Sequence, residues 1–119
     1  MTLSLLLVDD SPFGRKMVKK CLPPGEYRIR EASDGRECLE LYRQEVADLV
    51  FLDLTMPEMD GFETLARLKE IHPDCRVIIV SADIQPAARE EVMKLGALAF
   101  IKKPPNAETI KEAVEKVQS

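Results

Sequence analysis

The chain of 119 residues is 45% hydrophobic and 32% charged, which is the composition of a single globular domain. No apolar run approaches the roughly 20 residues that cross a bilayer, and the net charge of −4 argues against nucleic acid binding, which usually requires a basic face. We therefore expect one domain over residues 1–119, in the cytoplasm, with neither a membrane nor a nucleic acid as its partner. The three cysteines lack metal-ligand spacing, so we expect them to pack as small hydrophobic side chains.

Strand-like and helix-like patterns alternate along the whole chain. Short runs of aliphatic and β-branched residues predict five strands, near residues 3–8, 27–32, 48–52, 77–80 and 98–101. Apolar residues at helical spacing predict helices near residues 12–22, 34–45 and 86–95, and two more that begin at the caps Asp60 and Asn106. Strands that alternate with helices in this way predict a doubly wound α/β fold around a parallel sheet.

Capping residues support these helix boundaries. Ser11 can cap the first helix, with Pro12 at the first helical position. Asp34 and Asp60 each stand three residues before a glutamate, which is the spacing of a capping box. The second strand is the weakest prediction, because arginines alternate with Ile29 there, and this pattern indicates an edge strand with one face in water.

Four of the predicted strands run directly into residues suited to phosphoryl transfer. In open parallel sheets, ligands bind outside the carboxyl ends of the strands, so residues that follow the strands should meet in one crevice. The residues at these strand ends are Asp9, Asp10, Asp53, Ser81 and Lys103. Three carboxylates, a hydroxyl and an ammonium group suit a site that holds a divalent cation and a phosphoryl group.

The three carboxylates indicate how such a site could work. Asp9, Asp10 and Asp53 would repel one another in a crevice, and a hard divalent cation removes that repulsion. Mg²⁺ typically takes one or two carboxylates and leaves positions for water and phosphate oxygens. Asp10 lies further along the strand toward the crevice than Asp9, so we expect it to bind the cation directly. A carboxylate such as Asp53 can act as a nucleophile toward phosphorus, which gives an acyl phosphate.

Residues on the last two strands complete the predicted crevice. Alternation along the fifth strand places Lys102 and Lys103 on opposite faces, and we expect Lys103, directly before a proline, to face the crevice as a point charge. The Ser81 hydroxyl could donate to a phosphoryl oxygen, or Ser81 could simply cap a helix. On the same alternation, Ile101 is a better core candidate than Phe100.

Taken together, these motifs resemble the response-regulator receiver domain of bacterial two-component signalling, and most of all its chemotaxis-type single-domain regulators. The resemblance covers the whole chain and rests on five segments: residues 7–11, 53–61, 81–82, 96–97 and 103–104. It implies a flavodoxin-like (βα)5 fold whose five parallel strands have the order 2-1-3-4-5, with helices on both faces.

The resemblance also implies roles for the acidic residues. Asp53 would be the phosphoacceptor. The magnesium ion would be held by Asp9, Asp10 and Asp53, with the backbone carbonyl of Thr55 as a further ligand. Such a protein is a signalling switch, and it catalyses only its own phosphorylation and dephosphorylation.

A second set of implied roles concerns signal output. Lys103 would pair with the phosphoryl group, Ser81 would be the switch hydroxyl and Phe100 the switch aromatic. The donor would be the phosphohistidine of a sensor histidine kinase or a phosphotransfer protein. An output protein, or a second copy in a homodimer, would read the surface formed by the fourth helix, fifth strand and fifth helix. Lys102 and Pro105 depart from the commonest family pattern there, which affects the partner surface and not the proposed chemistry.

Three other functions remain as alternatives. A phosphohydrolase that works through an aspartyl phosphate would want a second acid two residues after its nucleophile, where this chain has Thr55. A flavodoxin-like electron carrier needs a loop that binds phosphate after the first strand, and Asp9 and Asp10 would repel that group. A receiver that binds partners without being phosphorylated would retain the fold, so only metal-dependent labelling of Asp53 separates it from a phosphoryl switch.

Overall fold

The computed structural model describes residues 2–56, 59–82 and 85–118, and within them strands and helices alternate as the sequence predicts. In chain order the elements are β1 Thr2–Val8, α1 Pro12–Cys21, β2 Glu26–Ala32, α2 Gly35–Gln44, β3 Leu49–Leu52, α3 Gly61–Ile71, β4 Val77–Ser81, α4 Pro86–Lys94, β5 Ala99–Lys102 and α5 Ala107–Gln118. Each predicted strand or helix boundary lies within one residue of the observed one.

The five strands form one parallel sheet with the order β2-β1-β3-β4-β5. This is the order that the family resemblance implies, and β2 lies at an edge as its arginine-rich pattern indicates. The order reverses between β1 and β3, and at such a reversal the carboxyl ends of neighbouring strands open a crevice. The residues that follow β1, β3, β4 and β5 therefore share one end of the sheet.

The sheet is buried on both faces, which explains the continuous apolar runs of its central strands. One face packs with α2, α3 and α4 around residues such as Leu6, Leu52 and Leu65. The other face packs with α1 and α5 around residues such as Phe51 and Val114. This two-layered core holds the strand ends at fixed positions relative to one another.

Side-chain caps hold the helix starts where the sequence places them. Ser11 Oγ accepts a hydrogen bond from Gly14 N at 3.2 Å, and Asp34 accepts one from Glu37 N at 2.8 Å. Asp60 caps α3 in the same way, through a bond of 3.0 Å from Glu63 N. No helix in the described part of the chain is long and apolar enough to cross a membrane.

The arginine-bearing face of β2 is less exposed to solvent than the sequence pattern predicts. Arg28 is largely exposed, but the Arg30 side chain is only 18% exposed. The Arg30 guanidinium donates to the carbonyl oxygens of Leu41 and Glu45, at 2.7 and 2.6 Å, where α2 ends. Arg30 therefore satisfies the last carbonyls of a neighbouring helix, and the predicted wet face holds only for part of the strand.

Candidate functional site

The structure brings the predicted acidic residues together at the carboxyl end of the sheet. Asp9 and Asp10 follow β1, Asp53 follows β3, and one carboxylate oxygen of each lies within 4.8 Å of the others. The Lys103 ammonium reaches the same place from the end of β5. Its Nζ donates to Asp9 Oδ2 at 2.9 Å and lies 3.5 Å from Asp53 Oδ1. Residues up to 94 positions apart in sequence thus form one charged cluster.

The two neighbouring acids of this cluster have different environments. Asp9 is buried, and its Oδ1 accepts a hydrogen bond from Ser11 N at 2.9 Å while its Oδ2 is paired with Lys103. Asp10 is exposed, and its carboxylate has no hydrogen bond or ion pair with the described residues. Asp10 is therefore the carboxylate that is open to a cation, whereas Asp9 is already engaged.

Asp53 is a buried carboxylate whose hydrogen bonding is incomplete. Only 3% of the residue is exposed, and its Oδ1 has no well-formed hydrogen bond with any described residue. Burial raises the pKa of the Asp53 carboxyl above its ordinary value, and Asp9 adds to the rise, while Lys103 and the Thr55 backbone N–H oppose it. A buried, unsatisfied carboxylate oxygen beside other acids is a position where a cation lowers the free energy.

Lys103 supplies the positive charge of the cluster. Burial alone would lower the pKa of Lys103, but its contacts with Asp9 and Asp53 outweigh that effect and hold the pKa above the usual range. The ammonium is therefore charged at neutral pH. Lys102 is exposed, so the prediction that only Lys103 turns into the crevice is confirmed.

The donors at this site fit a hard divalent cation. All of them are oxygens, which Mg²⁺ prefers, and an oxygen of the exposed Asp10 carboxylate lies within 4.8 Å of an oxygen of the Asp53 carboxylate. Thr55 follows Asp53 closely, and its Oγ1 lies 3.4 Å from Asp53 Oδ2. The ligand role of the Thr55 carbonyl stays a prediction.

The loop after β3 is held by the start of α3. A Cβ at Gly61 would lie 2.4 Å from the Asp53 carbonyl oxygen and 2.6 Å from the Leu54 Cα, so only glycine permits this close approach. Gly61 N also donates to the Leu54 carbonyl at 3.0 Å. Pro57 and Glu58, which belong to the same predicted motif, lie outside the described residues.

The two predicted switch residues lie on β4 and β5. Ser81 ends β4 and is fully buried beside the strand that carries Asp53. Phe100 is half-buried in β5, and the Arg89 guanidinium carbon lies 5.9 Å from the centroid of its ring. Ile101 is buried, which confirms it as the core residue of the pair. The switching roles of Ser81 and Phe100 stay predictions.

Two contacts to Asp9 were not identified from the sequence. Gly14 lies so close that a Cβ there would be 2.2 Å from Asp9 Oδ2, and Arg15 Nη1 donates to the Asp9 carbonyl oxygen at 2.5 Å. Glycine within a helix costs free energy relative to alanine, so Gly14 was a visible signal of close packing. Nothing in the spacing of Arg15 indicates its contact.

Comparison with known proteins identifies the family. A family model described as the response regulator receiver domain matches residues 5–115. The chain is 41% identical over 115 residues to the chemotaxis protein CheY of Listeria monocytogenes, which covers 96% of this chain and 97% of that protein. It is 35% identical over 116 residues to sporulation initiation phosphotransferase F of Bacillus subtilis, which covers 98% and 94%.

A solved structure agrees with these relatives. A chain of the CheX-CheY-BeF3-Mg complex from Borrelia burgdorferi has a TM-score of 0.90 at 32% identity, and the match covers 98% of this chain and 90% of that chain. The sheet order and the acidic cluster described above fit the same relationship. The chain therefore belongs to the response-regulator receiver domain family and is a phosphoryl-accepting signalling switch.

Proposed function

We propose that Asp53 is the residue that accepts the phosphoryl group, in a reaction that requires Mg²⁺. The observation that carries this proposal is the buried Asp53 carboxylate with its unsatisfied Oδ1, flanked by Lys103 and by two further acids. Asp9 is already paired with Lys103, and Asp10 faces solvent, so neither has the surroundings of a nucleophile held in place.

The transfer itself needs little from the protein besides position and charge. A carboxylate oxygen of Asp53 attacks phosphorus, and the bond between phosphorus and the donor's imidazole nitrogen breaks. The electron pair of that bond stays on the imidazole, and Asp53 becomes an acyl phosphate. Lys103, which lies 3.5 Å from Asp53 Oδ1, would pair with the transferred oxygens.

Asp10 and Asp53 are the carboxylates that would hold Mg²⁺, with Asp9 beside them and the Thr55 carbonyl as a further ligand. When bound, the ion supplies positive charge that neutralises the phosphoryl oxygens and the three acids. The donor in this proposal is the phosphohistidine of a sensor histidine kinase or of a phosphotransfer protein. The domain spans residues 1–119 and acts in the cytoplasm.

The output surface in this proposal is formed by α4, β5 and α5. A groove of about 290 Å³ lies there, lined by residues that include Arg89, Phe100 and Lys116. Movement of Ser81 toward the new phosphoryl oxygens would leave space that Phe100 can occupy, which would change this groove. An output protein, or a second copy of the chain, would read the change.

Labelling with a small acyl-phosphate donor tests the acceptor. We expect the intact mass of the parent to rise by one phosphoryl group when Mg²⁺ is present and not when EDTA replaces it. Asp53→Asn should remain unlabelled, whereas Asp34→Asn, a helix cap at the same end of the sheet, should be labelled like the parent. Equal labelling of Asp53→Asn and the parent would exclude Asp53 as the acceptor, and no labelling of the folded parent would favour a receiver that works unphosphorylated.

A further inference from the structure

The main chain of Asp9 is held as firmly as its carboxylate. Asp9 N donates to the Ala32 carbonyl at 3.1 Å, which continues the pairing of β1 with β2 by one residue. The Asp9 carbonyl oxygen accepts a hydrogen bond of 2.5 Å from Arg15 Nη1, on the first turns of α1. A side chain on α1 therefore fixes the peptide group that joins Asp9 to Asp10.

The other end of the Arg15 guanidinium is anchored on β2. Arg15 Nε donates to Glu31 Oε1 at 2.8 Å, and the second oxygen of Glu31 accepts from Lys19 Nζ at 2.9 Å. The Arg15 side chain is only 15% exposed, whereas Lys19 and Glu31 are each more than a third exposed. Arg15 thus connects the solvated ion pair of Lys19 and Glu31 to the carbonyl of Asp9.

Only a planar guanidinium suits this bridge. Its Nε and Nη1 donors point in fixed directions, so Arg15 contacts Glu31 and the Asp9 carbonyl at the same time. The ammonium group of a lysine is a compact point charge without two donors in fixed directions. It could therefore contact Glu31 or the Asp9 carbonyl, but not both at the same time. The bridge is therefore a rigid connection between α1, β2 and the loop that carries Asp9 and Asp10.

We propose that Arg15 is a positioning residue: anchored by Glu31, it holds the turn after β1 so that the carboxylates of Asp9 and Asp10 face Asp53. This inference rests on the proposed function, in which these acids hold Mg²⁺. Groups that orient the ligands of a metal site contribute to affinity even though they do not touch the metal.

Charge alone makes the opposite prediction for Arg15. Its guanidinium is positive, so by electrostatics its removal should tighten the binding of a cation nearby, and removal of the negative Glu31 should weaken it. If Arg15 and Glu31 act together by positioning, both removals should weaken binding. The signs of the two effects therefore separate a positioning role from a purely electrostatic one.

Titration of the full chain with Mg²⁺, monitored by calorimetry and by NMR, shows whether each substitution weakens or strengthens Mg²⁺ binding. We expect Arg15→Gln to bind Mg²⁺ about tenfold more weakly than the parent, at the lower end of the range for groups behind metal ligands. Glu31→Gln should weaken binding less, because a neutral amide oxygen still accepts from Arg15. The double variant should bind Mg²⁺ no more weakly than Arg15→Gln alone, since both substitutions break the same connection.

Two further variants control for charge and for general loss of stability. Arg15→Lys keeps the charge and should remain close to Arg15→Gln in affinity. Arg28 lies on β2, the strand that also carries Glu31, and forms an exposed ion pair of 3.0 Å with Glu45 at the end of α2. Arg28→Gln removes that pair and should bind Mg²⁺ like the parent. At saturating Mg²⁺ the labelling rate of Arg15→Gln should return to near the parent's rate, which a misfolded site would not do.

Unchanged or tighter Mg²⁺ binding by Arg15→Gln, or full rescue by Arg15→Lys, would overturn the positioning role while the parent still binds and is labelled. A parent that binds no Mg²⁺ would instead overturn the proposed function, and the positioning role with it. If Arg15→Gln fails to fold, Arg15→Lys decides, because it keeps the charge: positioning requires its affinity for Mg²⁺ to fall, whereas charge alone predicts that it binds Mg²⁺ like the parent.

Discussion

At the scale of single residues, Gly14 controls the position of the Asp9 carboxylate. A Cβ at this position would lie 2.2 Å from Asp9 Oδ2 and 2.8 Å from its Cγ. In Gly14→Ala the Asp9 side chain must turn away, and it would lose its salt bridge of 2.9 Å with Lys103. Because contact with Asp9 is among the causes that raise the pKa of Lys103, we expect that pKa to fall in the variant. NMR titration of the lysine side chain measures it.

The same substitution should have little effect on overall stability. Alanine is favoured over glycine within a helix by about 1 kcal/mol, which offsets part of the lost salt bridge, so the free energy of unfolding should change by no more than about that amount. Lys16→Ala, an exposed change on the same helix, is the control and should leave the pKa of Lys103 unchanged. A Lys103 pKa equal to the parent's in Gly14→Ala would contradict this prediction.

Asp53 should lower the stability of the metal-free protein at neutral pH. Its pKa in the folded state is raised above 3.8, first by burial. Such a carboxyl stabilises the fold while it is protonated, and this contribution is lost as the pH rises through the folded-state pKa. We therefore expect Asp53→Asn to unfold at a higher urea concentration than the parent in EDTA at neutral pH. A lower midpoint for the variant would contradict this.

Magnesium should reverse that order of stability. A ligand that binds only the folded state stabilises it by mass action, by about 2.7 kcal/mol when its concentration is 100 times the dissociation constant. The parent should gain this stability, and Asp53→Asn, which lacks one of the proposed ligands, should gain much less. Urea denaturation with and without Mg²⁺ measures both gains under otherwise equal conditions.

At the scale of elements, Arg30 links the edge strand β2 to the end of α2. Its guanidinium donates to the carbonyls of Leu41 and Glu45, at 2.7 and 2.6 Å. Hydrogen bonds from a charged donor contribute about 1.5–3 kcal/mol, so we expect Arg30→Met to lower the free energy of unfolding by about 2 kcal/mol. Denaturation in urea measures the loss.

Arg28 provides the matched control on the same strand and the same face. Its side chain is 65% exposed and pairs with Glu45 Oε1 at 3.0 Å. A solvated pair of this kind contributes little, so Arg28→Met should change the free energy of unfolding by less than about 0.5 kcal/mol. Equal losses for the two variants would show that arginine at this edge acts by a general effect and not by capping α2.

At the scale of the whole molecule, the alternation of strands and helices was predictable because each element carries its own pattern. Buried strands need continuous apolar runs, and Ser11, Asp34 and Asp60 mark helix starts by their capping chemistry. The strand order is different, because spacing along the chain does not determine which strands pair. The family resemblance supplied the order, and the structure confirmed it.

Part of the candidate site was also predictable from the sequence. Strand ends meet in a parallel sheet, which was enough to place Asp53 and Lys103 together. The sequence predicted a direct cation contact for Asp10, but it did not predict that Asp9 pairs with Lys103, because that depends on which carboxylate the Lys103 side chain reaches. The contacts of Arg15 and Arg30 with carbonyl oxygens were not predictable either, because a long side chain reaches a main-chain group that leaves no signature in sequence.

At the scale of the whole molecule, we also expect modification of Asp53 to change the surface formed by α4, β5 and α5. Backbone amide shifts of the parent with beryllofluoride and Mg²⁺, a stand-in for the phosphoryl group, test it most directly. A coupling of roughly 1–3 kcal/mol between two populated arrangements would shift resonances from residues 85 to 113 as well as those around Asp53.

Two variants serve as controls in this NMR measurement. Asp53→Asn should show no shifts with beryllofluoride, and Ser81→Ala should show shifts around Asp53 with most of those at residues 85 to 113 lost. That pattern is the predicted result. Shifts confined to the surroundings of Asp53 in the parent, or shifts at residues 85 to 113 that are as large in Ser81→Ala as in the parent, would contradict the proposed switch.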